Sequence, residues 1–189
     1  MREFLKGVRR VGPPVSSTLL HLSKWIASLR EDGIYASRVA AKVANSSNWQ
    51  LAEKIAETLI QNPNATEQPL LSKSLQEALF YFNGFESEVD YARFKSRILR
   101  HIERQGASAF CRRFLSLFFF NFVWFHTGES FSVVTPSPDS LSKEIQGVER
   151  VCNRIVDSIW SAFEGTKKSL DSATASKLVS QIDRAMRGI

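Results

Sequence analysis

Residues 114–125 read FLSLFFFNFVWF, and the reading of this stretch decides the fold. Only Ser116 and Asn121 interrupt its apolar character. A helix that is apolar on every side lies either in lipid or at the centre of a bundle. Crossing a bilayer takes about 20 apolar residues. This run has 12, bounded by Arg112 and Arg113 on one side and by His126 and Glu129 on the other. It is therefore expected as the central core helix of a bundle, with no membrane partner and with its aromatic rings packed on one another. Asn121 needs hydrogen-bond partners if it is buried there, and is expected to make a structural polar contact between helices.

Helical periodicity extends outward from this run in both directions. Upstream, Val15, Leu19, Leu22, Ile26 and Leu29 form one stripe, ended by Gly33, and a shorter helix covers Tyr35 to Ala44. The next starts at a capping box, Ser47 to Gln50, carries Leu51, Ile55 and Leu59, and stops before the turn-rich NPNATEQP of residues 62–69. Leu71, Leu75, Leu79 and Phe82 mark a helix closed by Gly84, and another runs from about Glu88 to Gln105 with Gly106 as its C-cap. Downstream, the central helix is expected to stop at Gly128, with His126 to Glu129 as its terminal cap. Residues 127–140 would then be the longest non-helical stretch. A long amphipathic helix through Leu141, Ile145, Val148, Cys152, Ile155, Ile159 and Phe163 follows, and a shorter one from Asp171 to Met186 closes the chain. With no sustained strand alternation, the fold expected is all-α. It is a single-domain bundle of seven or eight helices over residues 15–189, preceded by a basic N-terminal arm, residues 1–14.

Composition narrows the function classes. The 189 residues are 43% hydrophobic and 23% charged, ordinary for a globular chain, with a formal charge of +6. Cys111 and Cys152 are too few for a disulfide framework or a zinc site, which points to a reducing, cytoplasmic setting. The first 14 residues hold no apolar run of secretory-signal length. His21, His101 and His126 are isolated, the nine glycines build no phosphate-cradling loop, and no nucleophile elbow occurs. No enzyme activity, metal or cofactor is expected. Cys111 beside Arg112 and Arg113 reads as a half-buried structural thiol.

The basic residues are another matter. RFKSRILRHIER, residues 93–104, carries Arg93, Arg97, Arg100 and Arg104 at intervals of four, three and four. At about 100° per residue these fall within roughly 60° of one another, while Tyr91, Phe94, Ile98, Leu99 and Ile102 occupy the opposite side. Like charges at i,i+3 and i,i+4 each cost a helix a few tenths of a kcal/mol. From 93 to 113 there are seven basic residues against one acid, Glu103, and the rest of the chain balances 18 against 18. The whole net charge sits in this segment. A row of guanidiniums along about 16 Å of helix suits a line of phosphates, which arginine grips through two oxygens at once. With no base-reading signature present, the binding expected is to a nucleic-acid backbone with little sequence preference. The residues expected to carry it are Arg93, Lys95, Arg97, Arg100, Arg104, Arg112 and Arg113, with Lys6, Arg9 and Arg10 of the arm as a second focus. The same face also suits an acidic protein partner, which would make the chain an interaction adaptor. Other readings are pairing with acids of the fold itself (Glu86, Glu88, Asp139, Glu144), a plain solvated face, or a membrane-associated helical effector.

A basic, catalytically empty all-α domain carrying this ladder resembles the small subunit of CRISPR effector complexes of the Cascade type, or the equivalent helical C-terminal domain of their large subunits. That resemblance is one of architecture across the whole chain. It implies a non-enzymatic subunit of a ribonucleoprotein of antiviral defence, holding guide–target duplex or displaced strand, RNA or DNA, beside other protein subunits or copies of itself. The residues it would use are Arg93, Arg97, Arg100 and Arg104, with Arg112 and Arg113.

Overall fold

The computed structural model describes residues 5, 8–31, 33–43, 48–60, 66–83, 90–134, 137–166 and 169–188, apart from the side chains at 34, 35, 48, 49, 83 and 129–134. These residues form eight helices and no strand: α1 (Pro13–Ser28), α2 (Ile34–Val43), α3 (Asn48–Leu59), α4 (Gln68–Asn83), α5 (Tyr91–Gln105), α6 (Ser108–Val134), α7 (Pro138–Gly165) and α8 (Ser172–Arg187). The fold is an all-α bundle, as the periodicity implies.

Helix starts follow local chemistry. Asp90, Ser137 and Asp171 stand in extended backbone, and each accepts a hydrogen bond from a backbone N–H three residues on, at Arg93, Ser140 and Thr174. Each satisfies one of the donors that a helix N-terminus leaves unpaired. Prolines sit at the first positions of α1 and α7, where a missing N–H costs nothing. Ser47, Gly84 and Glu88, expected to bound helices, lie outside the described residues.

α6 is the hub. It packs against α1, α4, α5 and α7, and buries Phe110, Phe114, Leu115, Phe118, Phe119, Phe122 and Val123. Each fully buried phenylalanine contributes about 1.5–3 kcal/mol relative to exposure, so this one helix dominates the core. Asn121, only 3% exposed, donates its amide hydrogens to Ser74 Oγ (3.0 Å) and Glu77 Oε2 (2.9 Å) on α4. It is the polar contact between helices that burial requires. No helix among the described residues is long and apolar enough to cross a membrane.

In two places α6 departs from the sequence reading. It does not stop at Gly128 but runs on to Val134, so most of the expected loop at 127–140 is helical. The glycine there makes room: a Cβ at residue 128 would come within 3.1 Å of the Trp124 ring. Thr127, buried, donates its hydroxyl back to the Val123 carbonyl at 2.7 Å. Close packing outweighs the cost of about 1 kcal/mol that glycine carries in a helix. The second departure is Phe125, 70% exposed, and its exposed neighbour His126, so the run is not core throughout.

The N-terminal arm is fastened to the bundle. Leu5 is buried, and Arg187 of α8 donates to the carbonyls of Leu5 (3.2 Å), Val8 (2.9 Å) and Arg9 (2.9 Å). Asp183, itself buried, holds the same guanidinium through both carboxylate oxygens at 3.0 and 3.1 Å. One arginine therefore satisfies three carbonyls of non-helical chain.

Two glycines give opposite expectations. Gly106 turns the chain from α5 into α6 with φ at 83°, in the region that side chains avoid, whereas a Cβ on Gly147 inside α7 would meet nothing within 4 Å. Gly147→Ala is expected to raise unfolding free energy by about 0.5–1 kcal/mol and Gly106→Ala to lower it by about 1 kcal/mol, both read from urea denaturation midpoints.

Candidate nucleic-acid interface

α5 is fixed at both ends and along one face. Asp90 Oδ1 accepts from the Arg93 N–H at 2.8 Å, and the Gly106 N–H closes the other end on Ile102 O. Phe94, Ile98 and Ile102 are buried against α4 and α6, with Tyr91 and Leu99 half-buried beside them. That anchoring turns the opposite face outward. Arg93, Arg100 and Arg104 are exposed, and among the described residues they make no ion pair. Arg97 and Lys95 are half-buried and each is engaged in an interaction within the chain. Beside the row runs a shallow groove of about 380 Å³, lined by Ala92, Lys95, Ser96, Leu99, Arg100 and Glu103.

Arg112 and Arg113 have different surroundings. Both are half-buried at the start of α6 and turned toward α7: Arg112 Nη1 lies 4.0 Å from Asp157 Oδ1 and Arg113 Nη1 3.6 Å from Glu149 Oε1. The Arg113 guanidinium also sits over the Tyr81 ring of α4, 4.6 Å from its centroid. These two cations join three helices. Of the arm residues, Arg9 and Arg10 are exposed and Lys6 lies outside the described residues. The arm is tied to α8, which packs on α1 and α7, whereas α5 packs on α4 and α6.

Acids considered as internal partners of the ladder do not take that role where they can be placed. Asp139 and Glu144 are exposed and make no ion pair among the described residues, and Glu86 and Glu88 lie outside them. Sequence reasoning missed Arg187, whose three carbonyl partners are more than 170 residues away. It also missed Tyr81, which is 57% exposed and shares its surroundings with Arg113.

Reactive groups are muted. Burial pushes the thiols of Cys111 and Cys152 up to about 12, so both stay protonated at neutral pH. Burial of Cys111 is complete rather than partial, which is why the neighbouring arginines do not activate it. Among the described residues no group of histidines, cysteines and acids could hold a metal. No family model, curated protein or solved structure matches the chain.

Burial lowers the pKa of His21, whose Nδ1 lies 3.3 Å from the Leu59 carbonyl, and partial desolvation with the nearby Arg187 charge lowers that of the largely exposed His126. With folded values below about 6.5, the unfolded chain binds more protons in the interval between the two, and stability falls as pH drops through it. The denaturation midpoint is expected to be lower at pH of about 5.5 than at about 7.5. His21→Gln, which keeps an N–H for Leu59, is expected to flatten part of that slope.

Proposed function

We propose that the protein binds a nucleic-acid backbone through the outward face of α5, without enzymatic activity and as a subunit of a larger ribonucleoprotein assembly. The observation that carries this is the arginine row: a buried apolar face, and opposite it four guanidiniums of which three are exposed and unpaired among the described residues. Over about 16 Å the row presents its cations to a polyanion that carries one phosphate charge per about 3.4 Å of duplex axis on each strand. Binding of this kind is expected to follow shape and charge rather than bases, because a row of guanidiniums along one helix face meets phosphate oxygens first and the sequence carries no base-reading signature. A place in an assembly follows from the resemblance to Cascade small subunits, where helical bundles use basic faces to hold duplex or displaced strand.

Fluorescence anisotropy with single- and double-stranded oligonucleotides ending in 5′-hydroxyl groups tests this reading. Neutralising three or four phosphates is expected to weaken affinity roughly twentyfold to a hundredfold between about 50 and 200 mM salt. Arg93→Glu with Arg100→Glu is expected to abolish binding while the far-ultraviolet circular dichroism stays helical. Absence of binding at low salt, or affinity unchanged in that double variant, would overturn the proposal.

A further inference from the structure

Where α4, α5, α6 and α7 meet, Arg112 and Arg113 line a polar cleft of about 360 Å³ with Tyr81, Gln105, Ser116 and Asn153. The Nε atoms of both arginines are buried and have no hydrogen-bond partner among the described residues. Those Nε atoms are enclosed and out of a ligand's reach, but the two side chains keep 32% and 26% of their surface accessible, and both line the cleft. Their ion pairs do not saturate them. The contacts to Glu149 and Asp157 run from Nη1, at 3.6 and 4.0 Å, beyond the roughly 2.7–2.9 Å of a charge-assisted hydrogen bond.

We propose that this cleft binds a phosphate monoester, with Arg112 and Arg113 holding the phosphate. Guanidiniums can offer a phosphate two parallel donors each. The amides of Gln105 and Asn153 and the Ser116 hydroxyl add neutral donors at the same cleft. Tyr81, exposed and already beneath the Arg113 guanidinium, presents an aromatic surface to the organic part of the ester.

Three acids of α7 bear on the two cations. Asp157 and Glu149 compete with the phosphate for the guanidiniums, and Glu164 lies in the field of Arg112 while bonding chiefly to Ser108. This site goes beyond the reading of α5, since none of Arg93, Arg97, Arg100 and Arg104 lines the cleft. Two sources share the chemistry: a free mononucleotide and the phosphorylated end of a strand.

Isothermal titration of the full chain with adenosine 5′-monophosphate, inorganic phosphate and adenosine tests the site. The two phosphates are expected to bind and adenosine is not. Arg113→Gln is expected to weaken nucleotide binding about tenfold, and Gln105→Ala, at the exposed rim, about threefold. Glu149→Gln has the opposite sign: with the competing carboxylate gone, affinity rises severalfold. Comparison of 5′-phosphorylated with 5′-hydroxyl oligonucleotides separates the sources, the strand end giving a preference for the phosphorylated form and the free nucleotide giving none. Failure of the nucleotide to bind, equal binding of adenosine, or an Arg113→Gln affinity matching that of the parent would overturn it. The α5 reading, tested on strands without terminal phosphates, stands or falls separately.

Discussion

A helix with no polar side has to be enclosed, and everything else in this bundle is arranged to enclose α6. Its phenylalanines are covered by α1, α4, α5 and α7, and the one amide in its middle, Asn121, is matched by Ser74 and Glu77 of α4. The constraint reaches the surface. Because Phe94, Ile98 and Ile102 of α5 are needed to close one side of α6, the helical period fixes Arg93, Arg97, Arg100 and Arg104 on the far side. The basic face is thus a geometric consequence of the apolar one, held in register by the Asp90 cap and the Gly106 turn.

Helix identity and the core were legible because periodicity at 3.6 residues and local caps act over short distances. α1, α2, α7 and α8 fall within a few residues of their expected bounds. Gly128 misled because its role depends on Trp124, which a rule about glycine as a helix stop does not consult. Arg112 and Arg113 looked like a continuation of the ladder because they follow it in sequence. A change of helix at Gly106 gives them other neighbours, and their partners Glu149 and Asp157 belong to a helix whose packing cannot be read from spacing alone. Arg187 was illegible for the same reason, since its partners are backbone carbonyls at the other end of the chain.

The two groups of arginines differ in what they do for the fold. Arg112, Arg113 and Arg187 are half-buried and tie elements together, through α7 acids, the Tyr81 ring or arm carbonyls. Exposed Arg93, Arg100 and Arg104 have no such attachment among the described residues, and their like-charge spacing works against α5 by a few tenths of a kcal/mol per pair. That like-charge spacing is the ground on which we propose an anionic partner, since a face serving solubility alone would mix signs with less repulsion.

Such a trade between stability and binding can be measured in one variant. Arg100→Glu places an acid between Arg97 and Arg104, converting two repulsive helical pairs into attractive ones while adding one repulsion, with Glu103 three residues on. Thermal unfolding and nucleic-acid affinity are to be compared for the parent chain and this variant at the same low salt. The expected result is a stability gain of about half a kcal/mol together with a loss of affinity. Lower stability with unchanged affinity would contradict it, because the arginine would then serve the fold and not a partner.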